Sequence, residues 1–140
     1  MQLIFKTIKN PKIQRLKQII KVYKDANWWY EYDNLRRLKK IIKGSFLFFV
    51  VLLNNDVIGI ARIISDGIND AYIQDFTILK EFRNQGIGTK FLRFILEKLK
   101  NKGFKWIGLI SQKRAVSLYK RAGFKVHPNK TVMIYEIKKT

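Results

Sequence analysis

Two glycines, Gly86 and Gly88, lie in a short polar stretch between a predicted strand and a predicted amphipathic helix. Glycine lets the backbone approach a ligand closely, and the amides at a helix start carry a partial positive charge. Together these properties suit an anion such as phosphate. The stretch Arg83–Thr89 lacks the Lys-Ser/Thr pair of a Walker A loop, and Phe91 stands where a dinucleotide fingerprint has its third glycine. Taken alone, the stretch also fits a plain glycine-rich turn.

Several other kinds of chemistry are excluded by composition. The 140 residues contain no cysteine, which removes disulfides, thiolate metal sites and cysteine nucleophiles. The one histidine, His127, provides no material for a histidine metal cluster, so we expect no metal. The longest apolar run, Phe46–Leu53, is too short for a membrane span, and the first residues lack a signal-peptide layout. The sequence therefore predicts a soluble cytoplasmic domain that does not enter a membrane.

The charge of the chain is strongly basic. There are 29 basic and 10 acidic residues, giving +19, and residues 45–79 are the one acidic stretch, with 1 basic and 4 acidic groups. A basic protein of this kind favours a polyanionic partner, such as nucleic acid or a phosphorylated cofactor. Lysine outnumbers arginine 21 to 8, however, whereas nucleic-acid readers depend on arginine for bidentate contacts. We expect no specific binding of nucleic acid.

The elements that must position these groups follow the order βααβββαβαβ. Helical spacing of apolar residues predicts three amphipathic helices and one short helix, and β-rich runs predict six strands. Asp33 is the expected cap of the second helix, and Asn54–Asp56 is the expected hairpin loop. The predicted strands are Gln2–Ile8, Phe46–Leu53, Val57–Ile64, Ala71–Leu79, Phe104–Ile110 and Val132–Ile137. The expected fold is an α/β (α+β) domain over residues 1–140, with helices on both faces of a mixed sheet.

This order resembles the GNAT superfamily of N-acetyltransferases. The likeness is strongest over Ala71–Phe124, where a strand, the Arg-x-x-Gly-x-Gly loop, a helix, a strand and a second helix end in Tyr119-Lys120-Arg121-Ala122-Gly123-Phe124. Residues 61–75 are similar to those of small bacterial members with undefined substrates. The resemblance implies a mostly antiparallel central sheet and acetyl-coenzyme A as the cofactor.

The resemblance also implies which residues hold that cofactor. Its pyrophosphate would bind the amides of Gln85, Gly86, Ile87, Gly88 and Thr89, with Arg83 contributing charge at the entrance. Its pantetheine arm would follow the main chain of Ile78 and Leu79, as an added strand does. A backbone N–H near Phe76 to Ile78 would stabilise the thioester oxygen. Ala115 would form the far wall, and Gln112 stands where many relatives have asparagine.

Tyr119 is the candidate general acid. A phenol has an ordinary pKa of about 10, so it stays protonated at neutral pH and can give its proton to a leaving thiolate. The alternative from sequence is a purely packing role beside Leu118 and Phe124, because buried tyrosines are common.

Asp75 is the candidate base or amine-orienting group. It lies in the acidic stretch, on the opposite strand face from Gln74 and Phe76. Asp66 and Asp70 fall in a turn, where capping is the commoner role. Many family members remove the proton through water, so a dedicated carboxylate is one of two alternatives.

The aromatic segment Trp28–Tyr32 is the candidate acceptor site. In this family the loop between the first two helices often borders the acceptor pocket. The faces of Trp28 and Trp29, together with Glu31, would suit an organic cation. Ordinary packing of a helical hairpin against the sheet is the alternative for at least one of these tryptophans.

The predicted function is transfer of an acetyl group from acetyl-coenzyme A to a primary amine of a small molecule, a protein lysine or a protein N-terminus. A longer acyl donor stays open, because the loop would grip only the shared coenzyme A portion. A basic module that keeps this fold and binds nucleic acid or another polyanion is the alternative function. Relatives often form dimers, so a homodimer is an open alternative to a monomer.

Overall fold

The computed structural model describes residues 2–137 as one five-stranded sheet covered by helices. The strands stand in the order β1-β2-β3-β4-β5. The first three pairings are antiparallel, and β4 pairs with β5 in parallel. The strands are β1 (Leu3–Ile8), β2 (Leu47–Leu53), β3 (Asp56–Ile64), β4 (Asp70–Ile78) and β5 (Trp106–Leu109). The helices are α1 (Ile13–Asp25), α2 (Leu35–Gly44), α3 (Ile87–Lys100) and α4 (Val116–Arg121). The predicted fold class is confirmed.

Both faces of the sheet are covered, as adjacent residues of β2 show. Phe49 makes edge contacts with Phe91 and Phe94 of α3, at 6.4 and 6.0 Å between the ring centroids. Its neighbour Phe48 is buried as well, at 1% exposed. Because neighbouring residues of a regular strand point to opposite faces, side chains are buried on both sides of the sheet. The apolar stripe of each helix is therefore buried against the strands, as its spacing predicts.

Two turns differ in detail from the sequence prediction. Asn34, rather than Asp33, caps α2, since its side chain accepts the Arg37 N–H at 2.9 Å. The loop between β2 and β3 has two residues, Asn54 and Asn55, with φ of 49° and 71°. Asparagine tolerates this left-handed backbone, which matches the twist of a tight hairpin. Asp56 is consequently the first residue of β3.

The predicted last strand, Val132–Ile137, is wrong for the described chain. No strand forms there, and Tyr135 is 93% exposed. Alternating apolar residues favour an extended backbone, but a strand also needs a partner along its hydrogen-bonding edge. The available edge strand, β5, covers only four residues. The prediction rested on composition and could not test this pairing.

Candidate active site

A cavity of about 740 Å³, here called the large cavity, opens where β4 and β5 separate. Their parallel pairing ends at Ile73 and Leu109. Beyond this point the β5 side of β4 has no strand partner in the described chain, and Gln74 to Ile78 line the opening. Ile110 and Gln112 lie across it. The divergence leaves backbone groups of β4 beside a space large enough for a ligand.

The glycine loop forms one end of this cavity. Gly86 is the N-cap residue of α3 and has a φ of 81°, a left-handed backbone that favours glycine. The first turn of α3 has no side-chain cap and no acidic residue. Its N–H groups and the helix dipole therefore favour a bound anion. Gly88 and Thr89 line the cavity, and a Cβ on Gly88 would meet only ordinary contacts, 3.7 Å from Leu118.

Three arginines bring positive charge to the same cavity: Arg83, Arg114 and Arg121. Arg83 donates from Nε to the Ile78 carbonyl at 2.9 Å and from Nη2 to the Thr77 hydroxyl at 3.3 Å. Burial, together with the nearby Arg114, lowers the pKa of Arg83. Asp75 is the one carboxylate among the described lining residues. This surplus of positive charge fits a phosphorylated ligand.

Asp75 distorts β4 in the wall between α1 and the cavity. It has a φ of 54°, and the pairing of β3 with β4 shifts between Ile60 and Arg62. Its Oδ2 accepts from Arg62 Nε at 2.7 Å and from the Tyr23 hydroxyl at 2.8 Å. Burial, followed by the charge of Asp75, raises the pKa of Tyr23 well above its usual range, so this hydroxyl stays a donor. The carboxylate is therefore held in place by two partners on a single oxygen.

Tyr119 lies beside the distorted strand. It is only 8% exposed, and its ring makes edge contacts with Phe76 and Phe124, each at 5.8 Å between centroids. Burial raises the pKa of Tyr119 to about 12, against a smaller opposing influence of Arg114. The phenol therefore remains protonated at neutral pH. Tyr119 lines the large cavity, so one proton donor borders the space next to the unpaired edge of β4.

Most residues predicted to hold the cofactor lie around this one cavity. They are Phe76, Ile78, Arg83, Gly86, Gly88, Thr89, Gln112, Ala115 and Tyr119. Three others do not line it. Gln85 is exposed, the Ile87 side chain is in the core, and Leu79 is buried with its N–H bonded to the Ile58 carbonyl at 2.8 Å. The predicted main-chain contact to Leu79 therefore has no available N–H in this structure.

A second space of about 330 Å³, here called the aromatic cavity, adjoins the first. Both are lined by Trp28 and Asp75, and Trp29 lines the aromatic cavity. Glu31 is exposed and lines neither. The other residues around the aromatic cavity are Tyr23, Tyr30, Tyr32, Asp33, Arg37, Leu38, Ile41 and Arg62. The predicted acceptor residues other than Glu31 are thus brought together next to the large cavity.

Arginine is the functional signal that the sequence interpretation missed. Five of the eight arginines line the two cavities, three in the large cavity and two in the aromatic cavity. No lysine appears among the described lining residues, although the chain has 21. Guanidinium groups bind oxyanions in a fixed two-pronged geometry, which a lysine cannot match. Because the chain has 21 lysines and only eight arginines, the rarity of arginine was a sequence signal that could have identified Arg114 and Arg121 as candidate site residues.

Neither a metal-binding cluster nor a membrane-spanning helix is found in residues 2–137. No group of three or more metal-ligating side chains is present there. No helix in the same residues is long and apolar enough to cross a membrane.

Comparisons with known proteins agree on one family. The sequence model described as "Acetyltransferase (GNAT) family" matches residues 13–124. An uncharacterised N-acetyltransferase of Gracilaria tenuistipitata var. liui is 31% identical over 99 residues, which is 68% of this chain and 54% of that protein. The chain thus spans about half the length of the curated relatives it matches.

Solved structures share the fold. A GNAT-family acetyltransferase of Streptococcus pneumoniae TIGR4 superposes with a TM-score of 0.80 at 21% identity, covering 99% of this chain and 100% of the other. A protein of Clostridium acetobutylicum, described as a predicted acetyltransferase and solved with acetyl-CoA, superposes with a TM-score of 0.72 at 18% identity. That match covers 95% of this chain and 96% of the other.

Proposed function

Because the chain belongs to the GNAT family of acetyltransferases, we propose that it transfers an acetyl group from acetyl-coenzyme A to a primary amine. The acceptor is a small molecule, a protein lysine or a protein N-terminus, and the amine attacks directly within a ternary complex. Members of this family generally use acetyl-coenzyme A. We treat residues 1–140 as one such domain.

The observation that carries this proposal is the composition of the large cavity. One end has the uncapped start of α3, and three arginines also line the cavity, which fits a pyrophosphate. The middle has the unpaired edge of β4, which fits an extended arm with peptide-like amides. The other end has Tyr119 and Asp75 beside the aromatic cavity. The residues present therefore fit acetyl-coenzyme A along one continuous path.

Within this site we assign each group one task. Acetyl-coenzyme A, when bound, supplies the acetyl group as a reactive thioester. One main-chain N–H within Phe76 to Ile78 donates to the thioester oxygen as negative charge develops there. Asp75 Oδ1, which has no partner among the described residues, orients the acceptor amine. The new bond joins the amine nitrogen to the acetyl carbon, the carbon–sulfur bond breaks, and Tyr119 gives its proton to the leaving sulfur.

The proton that the amine loses needs a separate acceptor. Oδ2 of Asp75 already accepts two hydrogen bonds, and the cation Arg62 is one of the donors. Those two bonds use both lone pairs of Oδ2, and Oδ1 is the atom that holds the amine. We therefore assign Asp75 to amine orientation, and removal of the proton to water.

A calorimetric titration with acetyl-coenzyme A tests the proposal first, and a panel of primary amines read by thiol release tests it second. Binding followed by amine-dependent thiol release is the expected result. No heat of binding, together with tight sequence-selective binding of duplex DNA at physiological salt, would instead favour a basic nucleic-acid module. Generic DNA is expected to bind weakly and with steep salt dependence, because only phosphate contacts are available.

A further inference from the structure

The aromatic cavity has polar groups whose hydrogen-bonding capacity is unevenly used. It contains two carboxylates, Asp33 and Asp75, and two guanidiniums, Arg37 and Arg62. Formal charge therefore balances, and a simple count predicts no preference for a charged ligand. The hydrogen bonds, however, show which groups can still bind one.

Three of the four carboxylate oxygens already accept hydrogen bonds. Asp33 accepts the Tyr30 N–H at 2.8 Å on Oδ2 and Arg37 Nε at 3.3 Å on Oδ1. Asp75 accepts both of its bonds on Oδ2, from Tyr23 and Arg62. The one carboxylate oxygen of this pair of residues with no hydrogen-bond partner among the described residues is Oδ1 of Asp75, in the residue that both cavities share, and it can accept from an ammonium group.

The guanidiniums are used only in part. Arg37 and Arg62 each bond to their carboxylate through Nε. A guanidinium has five N–H donors, and the remaining four are on the terminal nitrogens. Within the described residues no hydrogen bond engages those terminal nitrogens of either arginine. Among the charged groups, one carboxylate oxygen and two guanidinium ends thus have no hydrogen bond from the described residues, which favours a ligand with one amine and one anionic group.

Three further features limit the range of candidate ligands. A space of about 330 Å³ lies at the small end of the range for ligand sites, roughly 300–1,000 Å³. The aromatic walls favour a ligand that also has a flat or apolar part. The net charge of +19 also disfavours a polycationic acceptor, because such a molecule is repelled as it approaches.

We propose that the acceptor is a zwitterionic amine of the amino-acid type, whose carboxylate binds the terminal nitrogens of Arg37 and Arg62. This inference rests on the proposed function and names its substrate class. The amine end lies at Asp75, next to the large cavity, and the carboxylate end lies at the two arginines. The organic cation that the aromatic segment alone suggests is the competing class.

Matched amines test the class directly. We compare phenylalanine with phenethylamine, and lysine with cadaverine, since the members of each pair differ by one carboxylate. We measure kcat and KM by thiol release with saturating acetyl-coenzyme A. The carboxylate-bearing member is expected to have the higher kcat/KM by at least about tenfold in one pair, the scale of a charge-assisted hydrogen bond. Equal or higher kcat/KM for both decarboxylated amines overturns the inference.

Matched variants locate the carboxylate site. Arg37→Gln removes the charge from a half-exposed side chain, whereas Arg36→Gln makes the same change at an exposed neighbour that lines neither cavity. We expect Arg37→Gln to raise KM about tenfold for the amino acid, with kcat and the decarboxylated amine little changed. Arg36→Gln should change neither. Equal effects of the two variants would show a general charge effect and contradict the assignment.

Direct calorimetry separates failure of this inference from failure of the proposed function. The two members of the preferred pair, or phenylalanine and phenethylamine if no pair is turned over, are titrated into the wild type and into Arg37→Gln with coenzyme A present. Binding of the amino acid that Arg37→Gln weakens supports the site even if no thiol is released, in which case the proposed function fails alone. Turnover of decarboxylated amines only leaves the proposed function standing and overturns the substrate class.

Discussion

The large cavity and the aromatic cavity meet at Asp75 but are built in different ways. The large cavity is lined chiefly by residues 73–121, and its determinants are main-chain groups, a left-handed glycine and a helix start. The aromatic cavity is lined by side chains from α1, α2, β3, β4 and the segment after α1. The large cavity therefore depends on local backbone conformation, which a short sequence motif can encode. The aromatic cavity exists only once distant segments have packed together.

The largest expected effect concerns the proton donor of the large cavity. Tyr119→Phe keeps the ring and its contacts with Phe76 and Phe124 but removes the hydroxyl. We expect kcat to fall by roughly 10² or more, the usual scale for a positioned acid. The dissociation constant of acetyl-coenzyme A should stay within about a factor of three, since one neutral hydrogen bond contributes only about 1 kcal/mol.

Tyr72→Phe is the control for this substitution, because Tyr72 is 43% exposed and lines neither cavity. A Tyr119→Phe variant with near-normal kcat would assign the proton to water or another group. Equal losses of acetyl-coenzyme A affinity and of kcat would instead show that the hydroxyl has a structural role.

The next effect concerns the backbone of the glycine loop. Gly86→Val and Gly88→Val should each weaken acetyl-coenzyme A binding at least about tenfold, because the side chain enters the space beside the helix start. Gly103 has a φ of 85° and open space around it, so Gly103→Val carries the same backbone strain as Gly86→Val away from the cavities. Gly44→Val is the matching control for Gly88, which does not have positive φ.

Calorimetry with acetyl-coenzyme A gives the answer once circular dichroism shows that the variants are folded. Unchanged affinity in both loop variants would remove the loop from the site. Equal weakening by the control variants would show that the effect arises from the fold.

A smaller effect is expected where the two cavities share a wall. Asp75→Ala loses the bonds from Tyr23 and Arg62 and keeps a Cβ in a left-handed backbone, which costs roughly 1–2 kcal/mol relative to glycine. Asp75→Gly loses the same bonds but adopts the backbone readily. We expect the alanine variant to have the lower free energy of unfolding, by about 1 kcal/mol, in denaturant titrations.

Asp66→Ala serves as a control, since exposed Asp66 accepts one backbone bond, from Ile68. If Asp75→Ala and Asp75→Gly unfold at the same denaturant concentration, the left-handed residue in β4 does not store strain.

The smallest expected effect concerns the pH profile of kcat, in which ionisation of Tyr119 should not appear. Burial raises the pKa of Tyr119 to about 12, so the phenol keeps its proton below that pH. The wild-type kcat should therefore show no alkaline loss from this group between about pH 7 and pH 10. A fall in kcat centred near pH 10, the ordinary pKa of tyrosine, that Tyr119→Phe abolishes would contradict the effect of burial.

Sequence alone predicted the parts of the fold that depend on near neighbours. Gly86 before an apolar periodic stretch marks the start of α3. Tyr119 was identified as a site candidate from the Ala71–Phe124 stretch that contains this helix. Asp33 and Asn34 are both good caps, and only the structure shows that Asn34 bonds to Arg37. The residues at 132–137 have strand composition, but whether a strand forms depends on an edge elsewhere in the sheet.

The candidate site follows the same division. The loop residues were predicted because their role depends on backbone conformation. The partners of Asp75 were not, because Tyr23 and Arg62 lie 52 and 13 residues away along the chain. Arg37 and Arg62 are brought to the aromatic cavity by the packing of α1 and α2 on the sheet, for which no short motif exists.

The attachment of α1 at both ends has a consequence for the entropy of ligand binding. Near its start, Arg15 donates to the Asn55 carbonyl at 2.8 Å and Gln18 donates to Asp56 at 3.0 Å, while Tyr23 near its end donates to Asp75. The helix spans roughly 20 Å, so it ties the β2–β3 turn to the wall of the aromatic cavity. A wall fixed at two distant points has little motion left to lose when a ligand arrives. Amide exchange in α1 should consequently be slow before any ligand is added, and it should slow little further afterwards.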